Sequence, residues 1–212
     1  SVELTPGIKN FGGLSGLEVL DNSTLAAVSD RGWVLRIAKA PPHNVSGFQA
    51  LGGLPRQRYL KDVESLRLAP DGGWWVAFEG ANRIAWHTPG FVGLTKPPTR
   101  ILLRHALRGL SGNNTLESVA TLPNGNGLAL MEQTGDAFAL LFDTKGRSLR
   151  RLSYRTNMPA VDAVALPNGG LLILTRAPVW PLPPTFATRL EYAAPGWQKR
   201  DSFESRTLFH LN

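Results

Sequence analysis

Glu64-Ser65-Leu66-Arg67-Leu68-Ala69-Pro70-Asp71-Gly72-Gly73-Trp74-Trp75-Val76-Ala77-Phe78-Glu79 is the stretch that decides the fold. It reads as an apolar run, a turn cluster and a second apolar run. Asp-Gly between two such runs is a strong hairpin signal. The same plan recurs at Ser15–Asp30 around Asn22-Ser23, at Glu117–Glu132 around Asn124-Gly125, and at Asp162–Arg176 around Gly169. Third strands are expected at Trp33–Ala38, Arg83–His87 and Ala137–Phe142, with a more variable fourth strand closing each unit. The hairpins return roughly every 45 to 50 residues, the period of a four-stranded propeller blade. A helical solenoid needs a 3.6-residue period, and the chain has no long amphipathic helix pattern. A β-sandwich does not repeat one hairpin with the same end residues. The expectation is therefore one all-β domain over residues 1–212, a β-propeller of four-stranded antiparallel blades, with blade hairpins near 15–30, 64–79, 117–132 and 162–176.

Composition agrees with a folded, turn-rich chain. Hydrophobic residues make up 42% and charged residues 18% of the 212, which excludes a disordered chain, and 22 glycines and 16 prolines supply punctuation for many short strands. The apolar runs are too short to span a bilayer, so no transmembrane segment is expected. The absence of cysteine excludes disulfide scaffolds, thiolate metal sites and cysteine nucleophiles. A net charge of +7 suits an anionic small-molecule substrate or ligand, but basic runs are short and aromatics scattered, so no nucleic-acid partner is expected.

The hairpin ends carry the candidate chemistry. Glu64 and Glu79 are equidistant from their turn, as are Glu117 and Glu132, so each pair is expected to face across the open end of its hairpin. Like charges placed opposite one another cost roughly a few tenths to 1 kcal/mol, so the arrangement needs an explanation. Radial repetition would gather Asp30, Glu64, Glu79, Glu117, Glu132 and Asp162 into a carboxylate rim suited to Ca2+, which takes six to eight oxygen ligands. Neutralisation by Arg31, Arg83 or Arg176 is a second explanation, and protonation of one acid in each pair a third. A fourth is that the acids simply accept backbone N–H bonds at strand ends.

Gly13-Leu14-Ser15-Gly16 and Gly109-Leu110-Ser111-Gly112 are not G-x-S-x-G elbows, and no helix is expected after them, so Ser15 is not assigned as a nucleophile. The glycines are read as allowing close packing of an inner strand. His43, His87, His105 and His210 are too widely spaced for a metal pair and are read as loop or outer-strand residues. Trp74 and Trp75 are read as core. Ala177–Pro184, with four prolines, is expected to break the sheet as a loop.

Five short motifs occur in an order that resembles the phytase-like family, esterase-like activity of phytase. They are Gly12–Leu17 with Val28-Ser29-Asp30-Arg31-Gly32; Asp62-Val63-Glu64-Ser65-Leu66 with Pro70-Asp71-Gly72; Phe78-Glu79-Gly80 with Arg83-Ile84; Asn114–Ser118; and Asp162–Pro167. The resemblance implies a propeller fold, phytase or esterase activity, and export to the periplasm or medium. Family members continue with a further acidic segment where this chain reaches Asn212. The expectation is thus a six-bladed propeller of which part is missing here, with the acidic continuation near the rim.

Taken together, these readings point to a hydrolase of phosphate or carboxylic esters. Glu64 and Glu117 are the candidate catalytic residues, and Arg31, Lys61, Arg83 and Arg176 the candidate anion-binding residues. Ca2+ is the expected cofactor. The alternative is a non-catalytic module in which the same rim recognises an anionic ligand or a partner protein.

Overall fold

A computed structural model describes residues 13–54, 56, 61–103, 105–107, 115–180 and 185–211. The calls on Gly12, Gly109–Gly112, Asn114 and Pro181–Pro184 lie outside the described residues. The fold is all-β and of the propeller class. Its repeating element is an antiparallel sheet whose strands follow one another in sequence order. The first sheet is β1 (Leu14–Val19), β2 (Thr24–Ser29), β3 (Trp33–Ala38) and β4 (Val45–Ala50). The second is β5 (Val63–Leu68), β6 (Trp74–Phe78), β7 (Arg83–His87) and β8 (Arg100–Leu102). The third is β9 (Leu116–Thr121), β10 (Gly127–Met131), β11 (Gly135–Phe142) and β12 (Ser148–Thr156), with β16 (Ser202–Phe203) added in parallel to β12. The fourth is β13 (Ala160–Ala165), β14 (Leu171–Val179), β15 (Thr185–Ala193) and β17 (Arg206–Leu211). A single helical turn, α1 (Phe91–Leu94), precedes β8, and no helix among the described residues is long and apolar enough to cross a membrane.

The expected turns form for the expected reason. Ala69 N–H donates to Gly73 O (2.8 Å) and Gly72 N–H to Ala69 O (2.9 Å). Gly72 sits at φ 78°, the left-handed conformation that only glycine adopts without strain. Leu122 and Asn126 close the third hairpin in the same way, and Leu166 and Gly170 the fourth. The Asp71 side chain accepts from Gly73 N–H and from Trp86 Nε1–H at 3.0 Å, so it ties the turn to the third strand.

The chain divides into two compact units, Ser1–Ile101 and Leu102–Asn212, each with two of the sheets. In the first unit Ala26, Val28 and Val34 pack with Leu66, Trp74, Val76, Phe78 and Ala85 in one buried cluster. Gly16 permits this approach: a Cβ there would lie 2.6 Å from Leu66 N. In the second unit Leu128, Leu130, Ala139, Leu152 and Tyr154 pack with Ala163, Ile173, Trp197 and Phe203. A buried carboxylate, Glu191, is held there by three hydroxyls. Tyr154 Oη–H donates to it at 3.1 Å, Thr175 Oγ1–H at 3.4 Å, and Ser205 Oγ–H also donates. Burial pushes the Tyr154 phenol up to about 12.

Two expectations need correction. Ala177–Pro184 does not end the sheet at Arg176. β14 runs on through Pro178 to Val179 and pairs with β15, Pro178 opposite Phe186. Proline is tolerated because β13 pairs with β14 only as far as Thr175 and Pro159 O takes the next N–H, so the missing donor faces no partner strand. Beyond that segment, the strand patterns at Thr188–Ala193 and Thr207–Leu211 form β15 and β17, which complete the fourth sheet. Finally, His87 is no loop or outer-strand residue. It is fully buried on the third strand of its sheet, where Nδ1 pairs with Lys96 O at 3.0 Å and burial lowers its pKa.

Candidate functional site

The register at the hairpin ends differs from expectation in one systematic way. Val63 pairs with Phe78, but Ser65 pairs with Ala77, which leaves Glu64 as an extra residue in a β-bulge. Glu79 N–H donates instead to Asp62 O at 2.9 Å. Glu64 and Glu79 are therefore not a directly opposed pair; Asp62 faces Glu79. The other hairpins repeat the bulge at Ser15, Glu117 and Val161. Glu132 N–H reaches Thr115 O, so Glu117 and Glu132 are not directly opposed either. In the fourth hairpin the bulge falls on Val161, which shifts Asp162 one position along, level with Ser65 and Ser118. That hairpin is thus not shorter than the others, and Asp162 does not occupy the position of Glu64. Its Oδ1 accepts from Ser118 Oγ–H at 3.2 Å and Ala163 N–H at 2.8 Å, linking two inner strands of the second unit.

In the first unit the bulge gathers acids. Carboxylate oxygens of Asp62, Glu64 and Glu79 lie within 4.8 Å of one another. Burial is the main force on Glu64, followed by the Asp62 charge and hydrogen bond and then the charges of Glu79 and Asp30. Together they push its carboxyl up to about 8. These effects favour the protonated form of Glu64, hydrogen-bonded to Asp62, which is the protonation explanation for the clustered acids. Asp62 was missed as a site residue. Its signal was the Asp62-Val63-Glu64 spacing, which places two acids beside one strand end.

Arginine neutralisation is limited in the first unit. Arg31 Nε lies 4.0 Å from Asp30 Oδ1, with both side chains about half exposed. Such a pair contributes at most about 1 kcal/mol. Arg83 stacks on Phe78 at 4.3 Å, and its Nε and Nη2 have no hydrogen-bond partner among the described residues. Burial alone lowers its pKa. Lys61 is partly buried next to Asp62 in sequence. In the second unit Arg176 lies over the Phe186 ring, 4.9 Å from its centroid. Ser15 Oγ–H donates to Val63 O, which makes it a link between inner strands.

Propeller-type sheets whose strand-end bulges carry acidic side chains define the class: an all-β propeller protein with a carboxylate-rich site. The sequence matches the profile of the family described as Phytase-like, esterase-like activity of phytase, over residues 9–200, and the chain belongs to that family. No curated protein matches the sequence. A solved structure similar to the chain is a protein of unknown function from Bacteroides caccae, with 10% identity and a TM-score of 0.48 over 90% of this chain and 73% of the other.

Proposed function

We propose that this protein hydrolyses phosphate or carboxylic esters at the Asp62–Glu64–Glu79 cluster. The observation that carries the reading is a carboxyl group raised to about 8 beside two further acids within 4.8 Å. A group that holds its proton near neutral pH is suited to protonate a leaving oxygen, and an ionised neighbour to accept a proton from water. Glu64 is the proposed acid; Asp62 and Glu79 are the acceptors. Glu117, at the equivalent bulge of the third sheet, is the second proposed catalytic residue. Lys61 and Arg31 are the proposed contacts for the anionic part of the substrate.

The donor set fits Ca2+, since three convergent carboxylates supply hard oxygens in a site without nitrogen or sulfur ligands. Bound there, the ion would polarise the ester and its attacking water. The ionised acids Asp62 and Glu79 would be its charged ligands, and Glu64 would keep its proton as the general acid.

The test is Ca2+ titration calorimetry in two buffers of different ionisation heat, alongside phosphate and acyl ester assays of wild type and Glu64→Gln. The expected result is cation binding without release of a full proton near pH 7, with hydrolysis lost in Glu64→Gln. Cation binding with no hydrolysis of any ester would select the non-catalytic recognition module. Hydrolysis unchanged in Glu64→Gln would overturn the assignment.

A further inference from the structure

The β14–β15 hairpin extends past the rest of its sheet. β13 pairs with β14 only up to Thr175, and β17 pairs with β15 only from Thr188 onward. Residues 177–179 and 185–187 thus form a two-stranded ribbon with no further strand pairing among the described residues. A bare ribbon in water is expected to be polar. This one carries Val179, Trp180 and Phe186 at 42%, 67% and 51% exposure, and Leu211 is exposed at the adjoining strand end. Trp180 has the highest exposure among the large apolar side chains described. Basic residues follow on the same hairpin: Arg176 stacks on Phe186, and Arg189 pairs with His210 across the sheet. Among residues 171–180 and 185–193 the only acid is Glu191, and it is buried beneath its three hydroxyls.

We propose that this ribbon docks on an anionic lipid surface, with Trp180 and Phe186 in the interface and Arg176 and Arg189 against the headgroups. Tryptophan prefers the boundary between water and hydrocarbon, where its ring is buried and its N–H stays wet. Flanking arginines and a chain charge of +7 attract the same surface over a Debye length. A protein partner would use the apolar tip as well, but the charge complementarity favours an extended anionic surface over a small epitope. The inference goes beyond the ester-hydrolase reading and stands whether or not esters are cleaved.

The experiment is co-sedimentation with phosphatidylcholine vesicles, with and without phosphatidylglycerol, for wild type, Trp180→Ser, Phe186→Ser and Arg176→Gln. All three positions are exposed, and circular dichroism checks that each variant folds. The expected result is binding to phosphatidylglycerol vesicles only, weakened at least tenfold in Trp180→Ser and in high salt, with brominated lipid quenching tryptophan emission of the wild type and not of Trp180→Ser. Equal binding by wild type and Trp180→Ser would reduce the effect to bulk charge and overturn the proposal. Absence of vesicle binding would do the same, as would a concentration-dependent dimer that Trp180→Ser abolishes.

Discussion

Glu64→Gln should change how stability depends on pH. The folded protein keeps a proton on Glu64 up to about pH 8, whereas the unfolded chain releases it near 4.5. The stability this contributes is fully present below about pH 4.5 and is lost as pH rises through about 8. The full gap would correspond to about 5 kcal/mol at about 1.4 kcal/mol per pH unit, but the site is partly open and coupled to Asp62 and Glu79, so about 2–3 kcal/mol is the expected size. Glutamine has nearly the same shape and its amide still donates to Asp62, yet it never ionises. The variant should match wild type near pH 4.5 and exceed it by about 2–3 kcal/mol at pH 9. With a urea slope of about 2 kcal/mol per molar, that is a midpoint shift of about 1 M. The assay is urea unfolding from pH 4.5 to 9 in the presence of a chelator. Parallel stability curves for the two proteins would refute the raised carboxyl and, with it, the protonation explanation.

Three further outcomes follow from packing. Trp74→Ala, at a fully buried side chain whose Nε1–H donates to Gly90 O, should cost about 3–5 kcal/mol by chemical denaturation. Tyr154→Phe should cost about 1–2 kcal/mol, because it withdraws one of the three hydroxyls from buried Glu191; a neutral result by thermal melting would remove that network from the stabilising interactions. Ser15→Ala should lower stability by about 1 kcal/mol and leave ester hydrolysis intact, and lost turnover without lost stability would reinstate a nucleophilic serine.

The strands were legible where local chemistry dictates them. Trp33–Ala38 and Arg83–His87 match β3 and β7 residue for residue, because glycine or proline turn residues bound them on both sides: Gly32 and Pro41-Pro42, and Gly80 and Pro89-Gly90. The site was only half legible. Glu64 and Glu79 were found, but counting outward from a turn assumes one-to-one pairing, and a bulge breaks that assumption without changing the hydrophobic pattern. The same miscount placed Asp162 one residue out of line and hid Asp62. Pro178 misled for a different reason: a proline is harmful in a strand only if a neighbour needs its N–H, and neighbours in space are not written in the local sequence. The raised pKa of Glu64 was open as one of several explanations, and only burial and the distances to Asp62 and Glu79 could choose it.

The four bulges give the fold one geometric address repeated in every sheet, occupied by Ser15, Glu64, Glu117 and Val161. A hydroxyl, two acids and an aliphatic group all fit there, because the residue takes no place in the one-to-one pairing of its strand. A change at that address therefore alters the chemistry of the site while leaving the ladder on either side in register. A substitution at these four positions changes the local chemistry without shifting the strand pairing, so an acid can be gained, moved or lost there while the sheet keeps its register. The repeat that builds the scaffold thus also supplies interchangeable sockets for its reactive groups.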